Sequence, residues 1–379
     1  MSWKRGTARL KALRRDLDRF LIDGPSVPRV TPRVFGQEVD QALDARSEER
    51  YRHYLRTLTR SLGEANPAPH SDINLRRWKE YDDILTESLW VINRRDSTGV
   101  HSAEYHGNFV PQIPHQVIRR FTKPGEIVLD LFAGLGTTLI EAQRLGRPSI
   151  GVELDPAIAE AAREGLDREA GPAPAQGVVI VADSSVPSTR SLVRRQMRAW
   201  GKQSAQLVVL HPPYHDIIAF SGLPGDLSSA LTVDEFLRRM EGVIDLAWHH
   251  LDPGRFMVLV IGDKYERGRW VPLGFKTMAR AERRGFRLKS IVVKNMEGNR
   301  AKRGVARLWA RRAIAGDFYI FKHEYVFIFE KPRAVPAQVS LTDLPKRGAP
   351  RRRAGSRKGG RKAARRSPAA SGRSRRRRN

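Results

Sequence analysis

The chain has 379 residues, no cysteine and a formal net charge of +28. That length suffices for one large or two modest domains with a buried core, and the lack of thiols excludes disulfides, thiolate metal centres and cysteine nucleophiles. No apolar run reaches membrane-spanning length and the N-terminus MSWKRGTARLKALRRDLDRF has no signal-peptide hydrophobic segment, so a cytoplasmic protein without membrane contact is expected.

The positive charge is uneven. Sixteen Lys or Arg and no acid fall between Lys346 and Asn379, which leaves +12 on the rest. A polyanion such as nucleic acid is the expected partner of body and tail alike. The plainer alternative is a like-charge block that only keeps the chain in solution.

In chain order, residues 1–75 read as a helical region with a linker. Leu10, Leu13, Leu17 and Leu21 recur at three- and four-residue steps, as one face of an amphipathic helix requires. A second helix is expected with Thr31 as N-cap and Pro32 at its first position, carrying Tyr51, Tyr54, Leu55, Leu58 and Leu62 toward its end. The segment GEANPAPHSD, residues 63–72, is the linker.

Residues 76–332 alternate short apolar, β-branched runs with helical stretches. The runs begin at Ile127, Ser149, Val178, Leu207, Phe256, Leu288 and Tyr325. Seven of them, separated by helices, predict a mostly parallel sheet covered by helices; the last two, joined without an obvious helix, are candidates for an antiparallel pair. Residues 333–379 are Arg, Lys, Gly, Ala, Ser and Pro with too little apolar content for a core, and read as a disordered basic tail.

The stretch Val128-Leu-Asp-Leu-Phe-Ala-Gly-Leu-Gly-Thr-Thr138 reads as a strand, a glycine turn and a helix start. Gly134 and Gly136 allow close backbone approach to a ligand, and the helix offers free N–H groups. A dinucleotide site would carry a third glycine where Leu139 stands. Asp130 ends the first strand, Glu153 the second and Asp183 the third. Asp130 would repel a pyrophosphate but suits a cationic amino-acid ligand, Glu153 suits ribose hydroxyls and Asp183 an adenine amino group. Together they describe a positively charged nucleoside without phosphates; capping of the following helices is the alternative use of Glu153 and Asp183.

The run from His106 to Pro114, the run Arg120 to Asp130, FAGLGTT, and Leu145 to Glu153 resemble the amino-methylating DNA methyltransferases, which modify N4 of cytosine or N6 of adenine. The resemblance covers about residues 105–156 and resumes at Leu207-Val-Val-Leu-His-Pro-Pro-Tyr214. It implies a class I, Rossmann-like methyltransferase fold with S-adenosyl-L-methionine as cofactor. Pro111 and Gln112 then fall in the motif that folds over the methionine end. Asp130, Phe132, Gly134, Gly136 and Thr137 fall in the glycine motif, and Glu153 and Asp183 at the two acidic positions after it. The motif order looks like that of one permuted branch of the family. No cysteine is present for the covalent route to C5-methylcytosine.

His211, Pro212, Pro213 and Tyr214 match the family's catalytic tetrapeptide. Two prolines fix two φ angles, which holds a backbone carbonyl rigidly toward a substrate N–H. Tyr214 offers a face on which a flipped base can stack. The family's first position is normally Asp, Asn or Ser, and His211 departs from it. A neutral imidazole still supplies one acceptor nitrogen, so activity is expected to fall as pH drops through an unperturbed His pKa near 6.5. The continuation of the motif resembles serine-type members, which leans toward N4 of cytosine.

Between 295 and 317 lie Arg300, Lys302, Arg303, Arg307, Trp309, Arg311 and Arg312, a pattern suited to phosphate contacts with an aromatic wedge. An exposed charged helix is the alternative reading of this segment, and Asp263-Lys264, ending the Val258–Gly262 strand, could also reach the same rim. The whole reads as a metal-free, DNA-associated methyltransferase with a helical N-terminal extension; whether a restriction endonuclease accompanies it stays open. An RNA amino-methyltransferase and a non-catalytic DNA-binding relative are the rival readings.

Overall fold

The computed structural model describes residues 3–15, 30–63, 65–101, 107–169, 175–266, 268–296 and 306–333. The tail from Ala334 onward, Leu17 and Leu21, and Arg300, Lys302 and Arg303 lie outside the described residues.

Three helices come first: α1 (Trp3–Arg15), α2 (Pro32–Leu43) and α3 (Glu48–Gly63). Thr31 caps α2 and Pro32 opens it. The single helix expected from Thr31 to Leu62 is therefore two. Asp44 ends the first, and the Ser47 hydroxyl accepts from Arg50 N–H at 3.3 Å, an N-cap signal in Ser-Glu-Glu that the apolar periodicity overrode. Arg77, with a fully buried side chain, joins these helices: it pairs with Glu38 at 2.6 Å and with Glu80, and reaches Ser61 Oγ at 3.2 Å. Glu80 in turn accepts from Thr31 N–H at 2.9 Å.

The remaining strands are β1 (Leu89–Trp90), β2 (Val128–Asp130), β3 (Ser149–Glu153), β4 (Gly177–Val181), β5 (Ala205–Leu210), β6 (Leu251–Ile261), β7 (Lys264–Glu266), β8 (Arg269–Val271), β9 (Arg287–Asn295) and β10 (His323–Glu330). Between them run α4 (Gln112–Phe121), α5 (Thr137–Arg144), α6 (Pro156–Arg168), α7 (Thr189–Ala199), α8 (Val233–His250), α9 (Leu273–Arg284) and α10 (Ala306–Ala315). The main sheet has the order β1-β9-β10-β6-β5-β2-β3-β4, and β7 and β8 form a hairpin outside it. All seven apolar runs are strands of this sheet; the eighth strand, β1, is a two-residue edge pairing parallel to β9. β10 runs antiparallel to both β6 and β9. A helix, α10, stands between β9 and β10 within the basic segment.

The sheet is buried on both faces, which is why its strands read as continuous apolar runs rather than alternating ones. Leu129, Val208, Leu210, Leu259 and Phe327 pack with Val193 of α7, Phe236 and Met240 of α8 and Leu273 of α9. Val128, Leu207, Val209, Val258 and Val326 pack with Ile113, Val117 and Ile118 of α4. The chain order reverses between β2 and β5, which are parallel neighbours. Loops leaving the carboxyl ends of two such strands diverge and open a crevice, the place where open α/β sheets bind ligands.

Candidate active site

The glycine turn leaves β2 on one side of that crevice. Leu131 N–H donates to Val209 O at 3.1 Å, after which the backbone turns through Gly134 (φ 52°) and Gly136 (φ 80°) into α5, with Thr137 as its first residue. These left-handed angles are costly for any residue with a Cβ. The missing third glycine is explained by a neighbour: Gly151 of β3 leaves the room that Leu139 fills. Phe132 packs, half-buried, against the core.

Asp130 is 1% exposed. Its Oδ1 accepts from Phe132 N–H at 2.9 Å, while Oδ2 has no partner of full hydrogen-bond geometry, the nearby Thr138 hydroxyl favouring the ionised form without making a well-formed bond. Burial pushes its carboxyl up to about 6. A buried, unpaired acceptor beside a glycine turn is what a cationic ligand would complete. Glu153 accepts from Gly134 N–H at 2.8 Å and from Asp155 N–H at 3.0 Å, and burial raises its pKa as well. Asp183 takes Ser185 N–H and Oγ–H, both at 2.7 Å, on Oδ1, while Gly225 lies against Oδ2 so closely that a Cβ there would collide. Asp130 and Glu153 are the last residues of β2 and β3, and Asp183 lies two residues past the end of β4, so the three acids stand at the carboxyl ends of three adjacent strands. Neither Glu153 nor Asp183 caps the helix that follows it: Asp155 is the N-cap of α6, and α7 begins after Ser188 with no side-chain cap. Each carboxylate instead binds local N–H groups of its own loop and keeps acceptor capacity.

Pro111 precedes α4 in the N-cap position, and Gln112, the first residue of the helix, donates to Arg94 O at 2.7 Å and accepts from Asp96 N–H at 3.2 Å. Gln112 therefore shapes the 94–96 backbone. Beneath it, Glu141 of α5 binds His101 at 2.7 Å and His115 at 2.9 Å. Burial opposes its ionisation, yet these two hydrogen bonds hold Glu141 down at about 2. The sequence reading missed this cluster, whose members are far apart in the chain.

The other side of the crevice is the end of β5. His211 stacks on Phe109 with centroids 4.5 Å apart, and Arg95 donates to Phe109 O at 2.8 Å. His211 Nε2 lies 3.3 Å from the Tyr214 hydroxyl, which donates to Glu324 Oε2 at 2.7 Å. Lys294 sits 3.1 Å from the other Glu324 oxygen. Burial lowers the His211 pKa to about 4 and raises that of the Tyr214 phenol well above its ordinary value. His211 therefore stays neutral through the physiological range, its pKa well below the ordinary histidine value of 6.5 that the sequence alone suggests. Glu324 and Lys294 were not picked out as site residues, because only strand register brings them there.

Asp263 and Lys264 do not serve the rim. Asp263 accepts from Trp270 Nε1–H at 3.0 Å and Gly274 N–H at 2.9 Å, and is 6% exposed. Lys264, 3% exposed, reaches His215 Nδ1 at 2.7 Å and Asp216 Oδ1 at 2.5 Å. It pins the loop after Tyr214, where His215 adopts the left-handed region at φ 56°. Of the basic segment, Arg307, Arg311 and Arg312 are exposed on α10, and Arg312 lies 5.3 Å over the half-buried Trp309 ring. The chain after α10 returns through Phe318 and Phe321, which pack on Tyr265 at 4.7 and 5.0 Å, so this helix is carried beside the β7–β8 hairpin.

No described helix is long and apolar enough to cross a membrane, and no group of three metal-ligating side chains occurs among the described residues. The Type II methyltransferase M.MjaII of Methanocaldococcus jannaschii is 38% identical over 79 residues, 21% of this chain and 14% of that protein. The Type II methyltransferase M.Cfr9I of Citrobacter freundii is 33% identical over 82 residues, 22% of this chain and 26% of that protein. The Type II methyltransferase M2.DpnII of Streptococcus pneumoniae is 28% identical over 148 residues, 38% and 47% of the two chains. The matches thus span less than half the length of these relatives. A family model described as DNA methylase matches residues 36–164 and 205–364, spans that hold both the glycine turn and His211-Pro-Pro-Tyr214. On that match the chain belongs to the DNA methylase family whose members act on N6 and N4 amino groups.

Proposed function

We propose that the protein transfers a methyl group to an exocyclic amine of a DNA base, with N4 of cytosine favoured over N6 of adenine. The observation that carries the reading is the placement of His211-Pro-Pro-Tyr214 and the Asp130 glycine turn on adjacent strands, β5 and β2, at the switch point of the sheet. S-adenosyl-L-methionine, the family's cofactor, supplies an electrophilic methyl group on a sulfonium centre. Asp130 Oδ2 suits its ammonium group, Glu153 its ribose hydroxyls and Asp183 its adenine; Pro111, Gln112, Phe132 and Thr137 complete the walls.

On the substrate side, His211 and a Pro212-Pro213 backbone carbonyl accept the two N–H bonds of the target amine and turn its lone pair toward the methyl carbon. Extruding the base costs a few kcal/mol, and stacking on Tyr214 returns about 1–3 kcal/mol. Positioning and desolvation supply most of the rate. Arg307, Arg311 and Arg312 would hold the phosphate backbone, with Trp309 beside them; Arg300, Lys302 and Arg303 of the same segment are assigned the same role from sequence alone.

The test is nucleoside mass spectrometry of duplex DNA incubated with the protein and S-adenosyl-L-methionine. N4-methylcytosine is expected. N6-methyladenine as sole product overturns the choice of base, and methylation of structured RNA without DNA overturns the substrate class.

A further inference from the structure

Glu324 and Lys294 face each other across the antiparallel β9–β10 ladder, and both are 5% exposed. A buried ion pair at a cross-strand position usually needs a reason beyond stability, since burying two charges recovers little net energy. Here the carboxylate has a second partner. Oε1 meets Lys294, and Oε2 receives the Tyr214 hydroxyl at 2.7 Å.

Tyr214 has one hydroxyl proton, and a hydrogen bond to an ionised carboxylate is the stronger use of it. With that proton committed to Glu324, the phenol oxygen can only accept from its other neighbour, His211 Nε2 at 3.3 Å. Nε2 must therefore carry the imidazole hydrogen. A neutral imidazole has one N–H, so Nδ1 keeps a lone pair. Nδ1 has no hydrogen-bond partner among the described residues. The opposite tautomer would set two lone pairs against each other at the Nε2 edge. The surroundings allow little escape: Phe109 stacks on the imidazole, and Gly262 fits against the Tyr214 ring, where a Cβ would come within 2.9 Å of Cε2.

We propose that Glu324, acting through Tyr214, sets the tautomer of His211 and presents Nδ1 as the acceptor for the target amine. Glu324 is a positioning residue, two hydrogen bonds from His211 and three from substrate, and the inference rests on the reading of His211 as that acceptor. It explains how a histidine can stand where the family normally has Asp, Asn or Ser: those side chains offer an acceptor in any state, whereas an imidazole must be held in one of two.

The test uses full-length protein labelled with ¹⁵N-histidine, with the His211 signals assigned by their loss in His211→Gln. Long-range proton–nitrogen correlation at pH 7 is expected to show Nε2 protonated and Nδ1 unprotonated. In Glu324→Gln the amide can donate to the phenol, so His211 should shift toward the Nδ1–H form; in Tyr214→Phe both forms should mix. Single-turnover methyl transfer by Glu324→Gln should fall at least tenfold, with S-adenosyl-L-methionine affinity within twofold of wild type. An Nδ1–H tautomer in the wild type, which needs only the assignment variant to fold, would overturn the proposal, as would an unchanged tautomer in both Glu324→Gln and Tyr214→Phe. The tautomer is read without DNA, so an inactive wild type counts against the proposed function and leaves this inference to be decided by the spectrum.

Discussion

Leu139 of α5 packs into the space left by Gly151 of β3: a Cβ on Gly151 would come within 2.9 Å of Leu139 Cδ2 and 2.8 Å of Ala133 Cβ. Both neighbours belong to the turn and helix that shape the candidate cofactor site, so the glycine sets how closely that helix lies on the sheet. Gly151→Ala should destabilise the fold by about 1–3 kcal/mol, the usual cost of overpacking. Leu139→Ala added to it should recover part of that loss. Urea unfolding of the single and double variants measures both, and additive losses would contradict the contact.

Asp130 links stability to binding. With its folded pKa raised to about 6, the folded protein keeps a proton between roughly pH 4 and 6 that the unfolded chain has released. The stability of the neutral form is thus present near pH 4 and lost as pH rises through 6, at a cost of about 3 kcal/mol. Asp130→Asn should flatten this slope and make the ligand-free protein more stable at pH 8, while weakening S-adenosyl-L-methionine binding at least tenfold. Unfolding at pH 5 and 8, with calorimetry of binding, checks the two signs separately. Wild-type binding should also release protons below pH 6, visible as a buffer-dependent heat.

What sequence could reveal depended on whether the signal was local. β3 has the bounds Ser149–Glu153 that its apolar run proposed, and Thr31-Pro32 opens α2 because the cap and the proline act within one turn. The glycine turn and the three strand-end acids were legible for the same reason. Lys264 was misread because charge implies exposure, whereas Asp216 and His215 bury it. Glu324 was invisible as a site residue, since it lies 110 positions from Tyr214 and meets it only through the sheet.

The basic helix α10 makes a prediction in salt. Arg307, Arg311 and Arg312 are exposed, and each phosphate contact contributes about 0.9 to the slope of log K against log salt. Replacing all three with Ala should lower that slope by up to about 2.7, with no change in the S-adenosyl-L-methionine affinity. Fluorescence anisotropy on a labelled duplex from 50 to 300 mM salt gives the slope. An unchanged value would remove α10 from the DNA surface.

The acid limb of the rate profile tests His211 itself. A free imidazole titrates near 6.5, but burial lowers this one to about 4, so protonation of His211 should not limit methyl transfer until the pH approaches 4. The sign follows from the role: the neutral ring accepts the amine proton, and imidazolium accepts none. Single-turnover rates should therefore stay within about threefold from pH 8 to 5.5, where an unshifted histidine would already have cost about tenfold. His211→Asp restores an acceptor that needs no tautomer control, and should keep more activity than His211→Ala, which should lose at least a hundredfold. Rates measured under saturating S-adenosyl-L-methionine separate this from the Asp130 effect on binding. An inflection near 6.5 in the wild type that disappears in His211→Asp would show that the imidazole is solvated and titrating, and that burial does not hold it neutral.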